Sequence, residues 1–309
     1  MEYITKTISS EYDGLLLEAL VLVPEGKPKG IIQISHGMSE YKERYLAFMN
    51  FLVEYHYICV IHDHRGHGKS VKDGKDLGYF YTDKTDGIIQ DLHQITMYIK
   101  QEYPNLPVYL FAHSMGTLIA RNYMKLYDAE VEKVILCGIP TKNPFTSFAL
   151  FLSKLSTKLW GGKHRNHLLN FLAFQPYNLG YKIKNSWLCS DENIVKQYND
   201  DPYCGFVFTN NGFLNLFQML KDAYVKNDWQ VHHVSLPILL IGGEDDPVIQ
   251  NKKKFYETER FLQSLGYVEV KGKLYKGKRH ELLNEINKKE VYQDILDFYP
   301  VSYTHLTLP

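Results

Sequence analysis

The sequence predicts an α/β protein in which a mostly parallel, eight-stranded sheet is covered by helices on both faces. Short apolar runs rich in Val and Ile alternate along the chain with longer segments of helical periodicity. This alternation is typical of parallel sheets whose strands are joined by crossover helices. It is interrupted once, by a long strand-poor stretch after Pro140, and then resumes.

The first two predicted strands, residues 4–9 and 15–23, flank a turn at Gly14 and form an antiparallel hairpin. The other six are apolar runs of strand length, at residues 30–35, 57–62, 108–112, 134–138, 238–242 and 268–275. Apolar residues recurring at three- and four-residue steps predict the helices between them. These helices cover residues 40–55, 85–103, a segment from 115 onward, 252–265 and a last segment ending near 299.

The interruption predicts how the chain is divided. Residues 141–235 are aromatic-rich and helical in pattern, so we expect a helical lid inserted above the sheet and not an independent domain. The α/β core is then formed by residues 1–140 and 236–300. Residues 301–309 (VSYTHLTLP) follow the last helix, fit no element and resemble a non-native cloning remnant, so they are left out of the predicted fold.

Composition narrows the classes of function. Of 309 residues, 45% are apolar and 23% charged, as in ordinary globular proteins. The 35 basic and 35 acidic residues cancel, which disfavours nucleic-acid binding because that function needs a positive surface. The first residues are polar, and the four cysteines form no C-x-x-C pair. We therefore expect a reduced, cytoplasmic protein.

A candidate nucleophile stands between the strand at 108–112 and the helix that follows it. The segment Ala112-His113-Ser114-Met115-Gly116 has small residues two before and two after Ser114. A nucleophile elbow has this pattern, because its serine sits on a tight strand-to-helix turn. The alternative role for Ser114 is a simple N-cap of the following helix.

A serine hydroxyl needs a base, and the base needs an orienting carboxylate. After the strand at 238–242 come three acids, Glu244, Asp245 and Asp246, at a strand end where open α/β sheets keep their sites. We expect Asp246 to be the acid, with Asp245 as the alternative. His280 follows the last strand and is the expected base, the alternative being an ordinary surface histidine.

Acyl transfer also requires backbone N–H donors for the oxyanion. We expect these to come from Met115, after the nucleophile, and from Met38, in the loop after the strand at 30–35. We expect the substrate to contact residues next to these donors and next to Ser114, and two phenylalanines of the insertion. The two phenylalanines fit the core of the insertion equally well. These expected substrate contacts are His36, Gly37, His113, Phe206 and Phe213.

The chain contains five motifs that together carry a family resemblance. They are HGMSE with Arg44-Tyr45, HDHRGHGKS from His62, the elbow at Ser114, the segment 243–248, and Arg279-His280-Glu281 with Asn284-Glu285. Over residues 4–299 the chain resembles the monoacylglycerol lipase and lysophospholipase branch of the α/β-hydrolases. Members usually have Gly where this chain has Ala112.

The resemblance implies a serine hydrolase of lipid-like carboxylic esters. Its family roles fall on Ser114 as nucleophile, Asp246 as acid and His280 as base, with oxyanion donors at Met38 and Met115. It further implies a helical lid between the sixth and seventh strands, a two-step acyl-enzyme mechanism, and no metal or organic cofactor.

Other interpretations of the sequence remain open. His62, His64 and His67 imitate a metal site, but metallo-hydrolases of that pattern want Asp where Gly66 stands, so no metal is predicted. The same serine site fits a small ester, a thioester or a peptide N-terminus. A peptidase needs an acidic anchor for the amine, and the insertion offers Asp191, Glu192, Asp200 and Asp201.

Two further alternatives concern binding. The chain could be an idle scaffold that binds a ligand or partner, although an intact triad argues against it. The apolar segment 145–160 is either a lid helix packed over the site or a face that contacts membranes transiently.

Overall fold

A computed structural model describes residues 3–299 and contains the predicted eight-stranded, mostly parallel sheet. The predicted tail at 301–309 lies outside the described residues. The strands are β1 (Tyr3–Ser9), β2 (Leu16–Leu22), β3 (Gly30–Ser35), β4 (Tyr57–His62), β5 (Val108–His113), β6 (Lys133–Cys137), β7 (Ile238–Gly243) and β8 (Val270–Tyr275). Their order is β1-β2-β4-β3-β5-β6-β7-β8; β2 pairs antiparallel with both β1 and β4, and all the other pairings are parallel.

Helices cover both faces, as the alternation predicts. The helices are α1 (Leu46–Glu54), α2 (Asp86–Glu102), α3 (Met115–Tyr127), α4 (Thr146–Trp160), α5 (His167–Phe174), α6 (Glu192–Asp200), α7 (Asn210–Asp222), α8 (Lys252–Gln263) and α9 (Lys289–Phe298). One apolar cluster joins the sheet to α2, α3 and α8, and a second joins it to α1 and α9. Strands buried on both faces explain the continuous apolar runs in the sequence. No helix within residues 3–299 has the length and apolarity needed to cross a membrane.

The helix predicted at 40–55 begins later than its pattern indicates. Tyr41 is extended, residues 42–45 form a single 3-10 turn, and α1 starts at Leu46. The cause is local hydrogen bonding: the Glu40 carboxylate accepts from the backbone of Gly37, and Asp63 accepts from the backbone N–H of Lys42. Side chains that bind nearby backbone groups in this way compete with helix formation.

Helices α4–α7 lie between β6 and β7, within the stretch predicted as an insertion. The start of α7 is joined to the core by hydrogen bonds. Thr209 Oγ1 donates to Gly78 O (2.8 Å), while Asn211 accepts from Phe80 N and donates to Thr82 O (both 2.7 Å). Because these partners are backbone groups of a buried core loop, this end of the insertion has a fixed position over the sheet.

Helices α4 and α5 leave a large apolar surface exposed. On α4 the outward side chains recur at three- and four-residue steps, with Leu150 and Ser153 buried on the opposite side. The exposed apolar side chains of this region are Phe145, Phe148, Phe151, Leu155, Leu159, Trp160, Leu168, Phe171 and Leu172. An apolar patch of this extent on a folded chain marks an interaction surface.

Candidate active site

Ser114 occupies a sharp turn between β5 and α3. Its φ of +53° is in the left-handed region that residues other than glycine rarely adopt. Ser114 N donates to Cys137 O (2.9 Å), which ties the turn to β6. A Cβ at Gly116 would overlap the carbonyl oxygens of Ser35 and His36, so only glycine lets α3 approach the end of β3. Ala112 is buried within regular pairing to β3 and β6, so its methyl group fits here.

The structure brings the three predicted reacting side chains together. His280 Nε2 lies 2.8 Å from Ser114 Oγ, and His280 Nδ1 lies 2.8 Å from Asp246 Oδ2. The other Asp246 oxygen accepts from Val248 N (2.8 Å), which fixes the carboxylate at the end of β7. Asp246 is buried and Asp245 is exposed, so the geometry favours Asp246 among the competing acids.

The predicted oxyanion loop is held by His36 from behind. His36 Nδ1 lies 2.8 Å from Gly37 O, and His36 Nε2 accepts from His64 N (2.9 Å). A carbonyl only accepts, so Nδ1 carries the ring proton. Because a trans peptide points its C=O and N–H in opposite directions, this contact also orients the N–H of Met38. Met38 and Met115 both line the cavity at Ser114.

A buried ionic network lies directly behind Ser114, and the sequence analysis did not predict it as a network. Glu40 Oε1 accepts from Gly37 N (2.6 Å) and from Tyr45 OH (2.9 Å), and it lies 3.2 Å from His113 Nδ1. Arg44 donates to Glu40 (2.6 Å) and to both oxygens of Glu281 (2.8 Å each). The signal available in the sequence was the i, i+4 spacing of Glu40 and Arg44.

The network sets the protonation states of its members. Burial by itself lowers the pKa of His113, but the Glu40 carboxylate outweighs it and the pKa of His113 is raised. Burial raises the pKa of Glu40, yet His113 and Arg44 together hold it well below its usual range. His113 Nε2 also faces His280 O (3.3 Å), so the imidazolium form satisfies both of its acceptors. The network therefore links the oxyanion loop, the elbow and the loop that carries His280.

A cavity of about 650 Å³ opens above Ser114, within the usual range for ligand pockets. Most of its wall is apolar and comes from the insertion, and the residues on this wall are Phe145, Phe148, Leu152, Leu169, Leu172, Phe174, Phe206, Leu216, Phe217 and Leu220. Polar side chains also line it, including Asn143, Asn170, Asn178, Lys184 and Asn185. Such a cavity suits a molecule with a long apolar part and a smaller polar part.

The predicted substrate contacts divide into two groups. Gly37, His113 and Phe206 line the cavity. The predictions for His36 and Phe213 are wrong in this geometry, because neither side chain reaches it. His36 is fully buried behind the oxyanion loop, and Phe213 is fully buried between Phe208 and Phe217 in the core of the insertion.

Four buried histidines cluster beneath the oxyanion loop. The rings of His36, His62, His64 and His67 pack within 4.3–5.2 Å of a neighbour, centroid to centroid. Burial lowers the pKa of all four, to about 3 for His62 and His67. Asp63 in the same segment pairs with Lys42 at 2.7 Å. Among residues 3–299, no three His, Cys, Asp or Glu side chains form a group that could hold a metal ion.

Replacing Asp246 by Asn tests the choice of acid. We expect Asp246→Asn to lower kcat by about 10³- to 10⁴-fold, because an amide cannot hold the imidazole in the required tautomer or stabilise its charged form. The matched control is Asp245→Asn, which removes the adjacent exposed carboxylate and should change kcat less than about twofold. Steady-state kinetics on a chromogenic ester measures both. The reverse ranking would assign the role to Asp245.

The histidine cluster predicts instability in mild acid. Unfolded histidines bind protons below about pH 6.5, whereas burial lowers the pKa of the four rings in the folded protein, so the free energy of unfolding falls as pH drops below that value. Below that pH each ring contributes up to about 1.4 kcal/mol per pH unit, whereas His113, whose pKa is raised, is protonated in both states and adds nothing to the slope. Urea denaturation between pH 7 and pH 5 should show this loss.

His62→Leu should reduce the slope of that loss by about one proton, because leucine does not titrate. Both ring nitrogens of His62 lack hydrogen-bond partners within the described residues, so the substitution breaks no hydrogen bond there. His167→Gln, at an exposed position, is the control and should leave the slope unchanged. Equal slopes in the wild type and His62→Leu would contradict the assignment of acid sensitivity to this cluster.

Comparison with known proteins agrees with the fold. The chain is 27% identical to human monoglyceride lipase over 276 residues, covering 89% of this chain and 82% of that one. It is 24% identical to monoacylglycerol lipase of Mycolicibacterium smegmatis, covering 89% of each chain. A carboxyl esterase from Bacillus coagulans, solved with glycerol, superposes with a TM-score of 0.86 at 29% identity, covering 96% of this chain and 98% of that one.

The family relationship follows from the extent of the match. The family model described as serine aminopeptidase, S33, matches residues 26–287, from before β3 to the loop that precedes α9. Because this match spans most of the chain, the protein belongs to the serine aminopeptidase S33 family and, within the α/β-hydrolases, to the branch that resembles monoacylglycerol lipases and lysophospholipases.

Proposed function

We propose that the protein hydrolyses esters of single-chain lipids, of the monoacylglycerol or lysophospholipid kind, with Ser114 as nucleophile. Its family relationships make it a carboxylic ester hydrolase. The observation that carries the proposal is the continuous contact from Asp246 through His280 to Ser114 at the floor of a large, mainly apolar cavity. The apolar wall suits one acyl chain, whose ester would then lie near Ser114.

In the proposed reaction, His280 accepts the proton of Ser114 as the hydroxyl oxygen attacks the ester carbonyl. Asp246 stabilises the resulting imidazolium, and the N–H groups of Met38 and Met115 bind the oxyanion. The carbonyl reforms as the bond to the alcohol breaks, and His280 gives its proton to the leaving oxygen. Water then attacks the acyl-enzyme by the same route and releases the fatty acid. Protein groups and water supply every proton, so no cofactor is needed.

The peptidase alternative has weaker support. Its candidate anchors, Asp191, Glu192, Asp200 and Asp201, do not line the described cavity. Asp191 caps α6, and Asp201 accepts from Tyr41 and Tyr203. The two carboxylates that do line the cavity, Glu40 and Glu281, are both paired with Arg44. A free substrate amine would therefore have to displace that arginine.

A p-nitrophenyl ester series tests the proposal. Wild type should prefer medium and long acyl chains over acetate, because the apolar wall contributes about 0.8 kcal/mol for each buried methylene. Ser114→Ala should lower kcat by at least about 10³-fold on every ester, whereas Ser264→Ala, at an exposed position, should leave it unchanged. Monoacylglycerol, lysophosphatidylcholine and an aminoacyl nitroanilide then separate the substrate classes. Full activity in Ser114→Ala would refute the nucleophile, and cleavage of the nitroanilide alone would establish the peptidase.

The exposed face of α4 and α5 further supports transient contact with an anionic lipid surface. Phe145, Phe148 and Leu172 are exposed and also line the cavity, so the apolar surface is continuous with its wall. Residues 142–190 contain six lysines, one arginine and no acidic residue, although the whole chain is neutral. Apolar side chains with surrounding basic ones are the combination that binds an anionic membrane interface. A lipid substrate would then enter from the membrane.

Vesicle sedimentation tests this contact. The double variant Phe151→Ser/Leu159→Ser removes two exposed side chains outside the cavity lining, and it should weaken binding to anionic vesicles by at least about tenfold. Hydrolysis of a soluble short-chain ester should not change. Met97→Ser, at an exposed apolar position on α2, is the matched control. Equal binding of all three proteins, or no binding by wild type, would contradict the proposal.

A further inference from the structure

The loop that carries His280 is fastened to the insertion as well as to the core. We call residues 278–285 the base loop and residues 186–190, between α5 and α6, the clamp. Arg279 immediately precedes His280, and its Nη1 donates to Ser186 O (2.7 Å) and Cys189 O (2.9 Å). The guanidinium forms no ion pair within the described residues; it faces these two carbonyls of the clamp and, 4.7 Å away, the ring of Tyr181.

The residues after His280 also form hydrogen bonds with the clamp. Glu281 N donates to Leu188 O (2.7 Å). The Glu285 carboxylate accepts from Arg279 N (2.8 Å) on the base loop, and from both the backbone N–H (3.2 Å) and the hydroxyl of Ser190 on the clamp. Both neighbours of His280 are therefore bound to the same five-residue segment, one through its side chain and one through its backbone.

The centre of the clamp contacts the imidazole itself. The Trp187 ring lies 5.3 Å from the His280 ring, centroid to centroid, and is buried against Tyr177 at 5.1 Å. Trp187 also lines the cavity beside His280. The imidazole thus lies among Ser114, Asp246 and Trp187, and only Trp187 belongs to the insertion.

We propose that the clamp is a fixed part of the active site that positions His280, and that Arg279 is the positioning residue through which it acts. This inference rests on the proposed function, in which His280 must first accept and then return a proton. A displacement of about 1 Å in such a group can cost about 10²-fold in rate. Asp246 sets the orientation of the ring, and the clamp sets the position of the backbone that carries it.

The proposal also divides the insertion into two mechanical parts. Movement of the clamp would break its hydrogen bonds to the base loop and displace His280, so this part stays in place during turnover. Helices α4 and α5 lie before the clamp in the chain and carry the exposed apolar surface. Opening of the cavity for substrate entry therefore involves α4 and α5 and leaves residues 186–190 unmoved.

Arg279→Met tests the clamp in the full-length protein. We expect kcat on a p-nitrophenyl ester to fall by about 10- to 100-fold while KM changes less than about threefold, because the variant binds substrate but misplaces the base. Arg279→Lys retains a donor for the carbonyls and should recover most of kcat. Lys276→Met removes an exposed positive charge just before the base loop and should behave as wild type. The low-field proton resonance of the His280–Asp246 hydrogen bond should weaken in Arg279→Met alone.

Two results would overturn the proposal: equal kcat in Arg279→Met and Lys276→Met, or an unchanged low-field resonance in Arg279→Met. If wild type cleaves no ester, the proposed function fails, while the resonance still decides whether the clamp positions His280. If Arg279→Met does not fold, Ser190→Ala removes one clamp contact without removing a charge. It should lower kcat by about three- to tenfold at unchanged KM, and wild-type kcat in this variant would equally refute the clamp.

Discussion

The close approach of α3 to the end of β3 is the constraint on which the rest of the site depends. Gly116 allows it, because any side chain at that position would overlap the backbone of Ser35 and His36. The approach holds Ser114 in its strained conformation and brings the loop after β3 beside it. The proposed oxyanion donors, nucleophile and base then meet at the carboxyl end of the parallel strands, where open α/β sheets place their sites.

Buried charge is the second organising feature of this region. Isolated ions inside a protein are costly, and each charge here has partners that offset the loss of water. Arg44 pairs with Glu40 and Glu281, and Glu40 also binds His113 and the backbone of Gly37. The four histidines beneath the oxyanion loop avoid the cost of a buried charge differently, because burial lowers their pKa values and favours the uncharged rings. The ionic network and the histidine cluster explain why so many polar side chains can lie beneath a mainly apolar cavity.

The insertion combines a rigid and an adaptable part. Asparagine and threonine side chains attach the start of α7 to the core, and hydrogen bonds join residues 186–190 to the loop of His280. Earlier in the chain, α4 and α5 present apolar side chains both to the cavity and to the outside. In the proposed function, this arrangement lets a lipid enter while the reacting groups stay in place.

The sequence by itself determined the sheet, the helices on both faces and the candidates Ser114 and His280, because periodicity, the small residues around an elbow and the end of a strand are local signals. It also predicted the position of the insertion. It left Asp245 and Asp246 in competition, and only the tertiary structure separated them, since burial depends on the loops that pack around β7. The pocket was decided in the same way: the sequence offered both His36 and Phe213 as substrate contacts, but both are fully buried and neither lines the cavity. The Glu40–Arg44–Glu281 network and the clamp join residues far apart in the chain, and no local pattern encodes such contacts.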